Sequence, residues 1–263
     1  MNGNASTTSI DRTAHSKAKP LTKRFGKSYK STSTVSRRSP DATGVMIELI
    51  QSLPTLQRLA LAYAPAQARD ATLSLLALDA RLAGALRTAS EPMLAQIKLA
   101  WWRDMLKRQP ADRPQGEPLL EALAVWQGEE PALIALIDAW EQLVTQEVLT
   151  EDDMHAFCSG RGAAFAALAR IAGKPDRSEA AQRAGEGWAL ADLASSLQAP
   201  QERDAALSVL RSHDWQHIPL PRALRPLAVM HGLGARAARE GQGLDRPSPG
   251  TFLVAVRIGL LGR

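Results

Sequence analysis

Apolar residues recur at helical spacing from residue 46 onward, with little strict alternation. Side chains three and four residues apart share one face of a helix, and proline, glycine and capping residues mark where each face starts and stops. A short apolar helix is predicted over 53–62. A longer one follows over 66–88, where Leu73, Leu76, Ala77, Leu78, Leu82 and Leu86 recur in register. Ser90 is the expected N-cap of the next helix, with Pro92 in its first turn. That helix runs through Trp102 to about Arg108 and stops in the loop Gln109-Pro-Ala-Asp-Arg-Pro-Gln-Gly116. Amphipathic stretches follow over 119–126 and 132–149. Thr150-Glu-Asp-Asp153 reads as a capping box for a helix over 151–172, closed by Gly173-Lys-Pro175. Further helices are expected over 177–197 and 201–211. Ile218-Pro-Leu-Pro221 breaks the chain before a helix over 222–240, and a last one, after Pro247 and Pro249, ends near Leu261. With no internal repeat and no sheet-like period, residues 46–263 are expected to form one all-α domain.

Composition agrees. Apolar residues make up 45% of the chain, with leucine and alanine prominent, and such side chains lose little freedom in a helix. No run of 18 apolar residues lacks a charge, so no transmembrane helix is expected. The single cysteine, Cys158, excludes an internal disulfide framework and fits a reducing compartment.

The net charge of +5 changes meaning when it is divided along the chain. Residues 1–45 carry nine Lys/Arg against Asp11 and Asp41, a balance of +7, which leaves −2 for residues 46–263. The basic character belongs to the tail, so a nucleic-acid surface on the helical part is not expected. The tail is rich in Ser and Thr and poor in periodic apolar residues, so it is expected to be disordered. Three origins stay open: a transit peptide, a solvated basic arm, or a start assigned upstream of Met46. The expected location is cytoplasmic, at most peripheral at a membrane, and organellar only on the first of these.

Two stretches carry the chemistry. One has Pro65, Arg69 and Ala71 at the head of the helix over 66–88; the other is Gln96-Ile-Lys-Leu-Ala-Trp101-Trp102-Arg103. Together they resemble the opening helices of the squalene/phytoene synthase family. The likeness extends over roughly 50–260. It includes Gly185 and Leu190 of Gly185-Glu-Gly-Trp-Ala-Leu190-Ala-Asp192-Leu-Ala-Ser195-Ser196, and a faint counterpart of a Tyr-Leu-Pro motif in Ile218-Pro-Leu-Pro221. The resemblance implies an isoprenoid (trans-prenyl diphosphate) synthase-type helical domain around a central cavity. It implies head-to-head condensation of two prenyl diphosphates, with Mg²⁺ held by two facing aspartate clusters.

Here the first cluster falls on Ala83, Gly84 and Arg87, and the second on Ser195, Ser196 and Pro200. Mg²⁺ demands hard oxygen ligands, which these side chains do not supply as carboxylates do. The expectation is therefore a catalytically degenerate member with no catalytic residues, no metal and no cofactor, Mg²⁺ entering only if an active transferase survives. Asp79 and Asp192 lie one turn before the expected acids and are the residual carboxylates such a transferase would use.

Arg69, Trp101, Trp102 and Arg103 complete the cavity or anion-binding candidates. The arginines either hold a lipid headgroup or pair with Asp70, Asp79 or Asp104. One tryptophan is expected in the core and the other under Arg or Lys, with Lys98 one turn before Trp102. The implied partners are an isoprenoid or lipid ligand and a membrane-complex protein. A complex I assembly factor in the same family implies a helper role in respiratory assembly. Glu151, Asp152 and Asp153 read as helix-start acids. His213 and His217 share a face only if their segment is helical. His155 and Cys158 read as packing, and Gly160-Arg-Gly162 and Gly232-Leu-Gly234 as helix-packing or turn glycines.

Overall fold

The computed structural model describes residues 21–25, 42–244 and 248–262, and among them every regular element is helical. The helices are α1 (Leu21–Phe25), α2 (Ala42–Ser52), α3 (Thr55–Leu61), α4 (Ala66–Thr88), α5 (Pro92–Lys107), α6 (Pro118–Ala122), α7 (Glu130–Thr145), α8 (Glu151–Ile171), α9 (Ser178–Ser196), α10 (Pro200–Ser212), α11 (Arg225–Glu240) and α12 (Pro249–Leu261). The expected all-α class is observed.

Local chemistry sets the boundaries. Proline occupies the first turn of α5, α6, α7, α10, α11 and α12, where its missing N–H costs nothing. Thr150 makes both bonds of the predicted capping box with Asp153. Gly173 follows α8 at φ 68°, a left-handed conformation that favours glycine. Ser90 is not the cap: Glu91 takes that position and makes no side-chain cap bond.

α4 is the central element. Every residue from Ala71 to Asp79 is buried, as expected of a helix surrounded by others. α8 packs most extensively on α9 and α7, and α11 covers α9. Gly160 and Gly162 make this approach close. A Cβ on Gly160 would lie 2.6 Å from the Ala139 Cβ and 2.8 Å from the Ala135 carbonyl oxygen; one on Gly162 would lie 2.9 Å from the Gln182 carbonyl oxygen. Glycine therefore flanks Arg161 toward α7 on one side and α9 on the other.

The tail expectation needs correction at nine residues, 21–25 and 42–45. Leu21–Phe25 is a helical turn whose Leu21 and Phe25 are buried in the core. Arg24 donates to the carbonyls of Leu143, Gln146 and Glu147 and to the buried Glu202 carboxylate. Two apolar anchors and one multiply bonded guanidinium give the segment the burial that composition alone did not reveal. α2 begins at Ala42, ahead of Met46. The remaining residues of 1–41 lie outside the described residues.

Candidate functional site

Asp79 on α4 and Asp192 on α9 face a common point, and that point is occupied by a side chain of the protein itself. Arg161 of α8 donates through Nη2 to Asp79 Oδ2 and through Nη1 to Asp192 Oδ2 at 2.9 Å. Its side chain is 1% exposed, whereas Asp192 retains 28%. The indole Nε1 of Trp140 donates to the other Asp79 oxygen at 2.9 Å. The guanidinium also lies over the rings of Trp140 and Phe157, 5.6 and 5.3 Å from their centroids, a favourable contact for a desolvated cation.

Burial opposes the charge on Arg161, but the two carboxylates outweigh it and hold its pKa above the ordinary arginine value. Burial pushes the Asp79 carboxyl up and Asp192 adds to the rise, against the pull of Arg161 and the Trp140 indole. Cys158, one turn before Gly162, has its thiol pushed up to about 12, mainly by burial. It is a neutral thiol at physiological pH and not an activated nucleophile; His155, read with it as packing, is exposed.

This donor set does not fit Mg²⁺. Both oxygens of Asp79 accept hydrogen bonds and Asp192 is paired to the same cation. Among the described residues no three His, Cys, Asp or Glu side chains come together to hold a metal. A divalent ion placed here would have to displace or face a guanidinium, at a cost in repulsion.

The positions expected to bear the acids are put to other uses. Ala83 is buried and Gly84 borders a groove. Ser195 Oγ donates to the Ala191 carbonyl and accepts from Leu244 N–H, both at 2.5 Å, and Pro200 opens α10.

The other candidates are not gathered at this cluster. Arg69 donates to the Leu61 carbonyl at 3.1 Å, closing the end of α3. Arg103 pairs with Asp138 and Glu141 of α7, so neither arginine joins Asp70, Asp79 or Asp104. Trp102 is buried with Arg81, not Lys98, over its ring at 5.9 Å, and Trp101 is 39% exposed, edge-on to it. Both tryptophans border an open groove of about 760 Å³ between α2, α4, α5 and the start of α6. Arg81 and Lys98 stand on its rim. His213 and His217 lie in a non-helical segment, so their spacing places them on no common face. His213 and His231 pack instead on Trp215, with centroids 4.9 and 5.3 Å away.

Sequence reasoning missed Arg161. The available signal was its isolation: it is the one charged residue in the alanine-rich stretch 156–169. A lone charge in so apolar a helix has to find buried partners.

The squalene/phytoene synthase family model matches residues 58–233, a span from α3 to α11 that contains Asp79, Trp101, Trp102, Arg161 and Asp192. No curated protein matches the chain, and no solved structure does.

Proposed function

Because this chain belongs to the squalene/phytoene synthase family, we propose that it uses the family's helical scaffold to bind and not to catalyse, taking an isoprenoid or similarly apolar chain in the groove beside Trp101 and Trp102. The observation that carries this reading is Arg161 between Asp79 and Asp192. Ionising an allylic diphosphate builds negative charge on the departing pyrophosphate, and enzymes meet such charge with preorganised cations. Here the central cation is already satisfied by two carboxylates, and freeing them for a metal would strand a buried charge.

The groove supports the binding half. Its volume is in the range of ligand pockets. Small residues of α4 (Ala77, Ala80, Gly84, Ala85) floor it and the two tryptophans wall it. Lys98 offers a cation to an anionic head, and Arg81 a second in exchange for its 3.6 Å pair with Glu117, which also lines the groove.

Titrating the protein with geranylgeranyl diphosphate, with Mg²⁺ and NADPH present, is expected to shift tryptophan emission while releasing no pyrophosphate above a protein-free blank. The shift is expected to shrink in Trp101→Phe, with Trp102 reporting the remainder. Pyrophosphate, squalene or phytoene above the blank removes the non-catalytic reading, and an emission shift unaltered in Trp101→Phe removes the groove.

A helper role in assembling a membrane-bound respiratory complex is a second reading. It is favoured by the exposed apolar stripe Met93, Leu94, Ile97 and Trp101 on α5, since such stripes mark interaction sites. Deleting the gene is then expected to deplete the assembled complex; normal assembly in the deletion strain eliminates this reading.

A further inference from the structure

α12 is apolar on two opposite sides. On one, Thr251 and Ala255 are buried, and Val254 and Ile258 pack against the core. On the other, Leu253 and Leu260 are each 70% exposed, with Phe252, Val256 and Leu261 beside them. A helix apolar all round is normally covered all round, yet α12 packs mainly on α11, with α3 beside it.

Charge indicates what covers it. Residues 222–263 carry seven arginines against Glu240 and Asp245, a balance of +5. Residues 46–221 carry sixteen basic and twenty-three acidic side chains, a balance of −7. Arg236 and Arg239 of α11 and Arg257 of α12 line an open depression of about 410 Å³ together with Leu253 and Val254. Arg236 pairs with Glu240 at 2.5 Å and Arg239 reaches its own helix carbonyl at Ala235. Among the described residues no acid pairs with Arg239 or Arg257.

We propose that this face docks on an anionic lipid bilayer, with Leu253, Val256 and Leu260 entering the acyl boundary and Arg236, Arg239 and Arg257 meeting headgroup phosphates. α12 has 13 residues, about 20 Å of helix against a hydrocarbon core of about 30 Å. It therefore lies in the interface and does not span it. The inference is independent of the groove, and α12 lies beyond the residues matched to the family.

The test is co-sedimentation of the full chain with phosphatidylcholine vesicles, with and without phosphatidylglycerol. Binding is expected only with the anionic lipid and is expected to weaken with salt. Each arginine near such a surface contributes about fivefold, so R239Q with R257Q is expected to lower binding roughly 25-fold. L253D with L260D is expected to abolish it while the circular dichroism stays helical. The basic tail supplies the internal control: if these variants bind as tightly as the unaltered chain, the tail holds the membrane and the proposal falls. It falls equally if no vesicle binds, or if L253D with L260D splits a dimer, since a second copy then covers the face.

Discussion

Replacing Arg161 with alanine is expected to cost about 3–5 kcal/mol of folding stability, the range for stripping one partner from a buried ion pair. At the few degrees per kcal/mol expected for a chain of this size, the melting temperature falls by roughly 10 °C. Most of that cost is the Asp79 carboxylate, left with the Trp140 indole alone in an interior that already pushes its pKa up. An acid whose folded pKa lies above its unfolded value is best tolerated at low pH and penalised as pH rises through the folded value. The deficit of Arg161→Ala is therefore expected to be larger at pH 8 than at pH 5. Neutralising all three members as D79N, R161M and D192N is expected to recover most of the loss, because an apolar or neutral replacement of a whole buried cluster is often close to neutral. Urea unfolding followed by circular dichroism reads all of these variants. A deficit for Arg161→Ala below about 1 kcal/mol, the scale of an exposed ion pair, would show that the cluster does not hold the core.

The second large effect belongs to His231. Its ring is buried against Trp215, its Nε2 has no hydrogen-bond partner among the described residues, and its pKa is lowered to about 4, first by burial and then by the neighbouring His213 and His217. His213 is lowered too, although Glu186 and Asp214 oppose the shift. A histidine with a depressed folded pKa contributes stability that is complete above its unfolded pKa near 6.5 and is lost as pH falls through the folded value. The gap from 6.5 to about 4 corresponds to roughly 3 kcal/mol. Acidification from pH 7 to 4 is expected to remove that much beyond what the carboxylates account for, with no further contribution below. Denaturant unfolding of the unaltered chain and of His231→Gln across this range isolates the term, and identical pH profiles for the two would refute it.

Much of the fold was legible because helix boundaries are local events. Pro92, the Thr150–Asp153 box, Gly173 and the Ile218–Pro221 break are read from a few neighbouring residues, and the helices end within a few residues of them. The cluster was only half legible. Asp79 and Asp192 stood out because they lie one turn from positions where a resemblance set an expectation. Arg161 did not, because its partners are 82 and 31 residues away in sequence and periodicity reports no such distance. Arg103 escaped for the same reason, its acids on α7 lying 35 and 38 residues on; Arg69 reaches a carbonyl only eight residues back, but across the break between α3 and α4.

The helices that meet at the cluster are otherwise smooth. Alanine and leucine dominate the buried faces of α4 and α9, and such faces alone fit one another nearly as well after sliding by one turn. A slip of about 5.4 Å would keep most of the apolar burial while pulling Arg161 away from Asp79, Asp192 and the Trp140 ring. The three charges thus work as an indexing pin beside the glycine notches of α8: leucine and alanine make the helices adhere, and the guanidinium joins Gly160 and Gly162 in fixing where they stop.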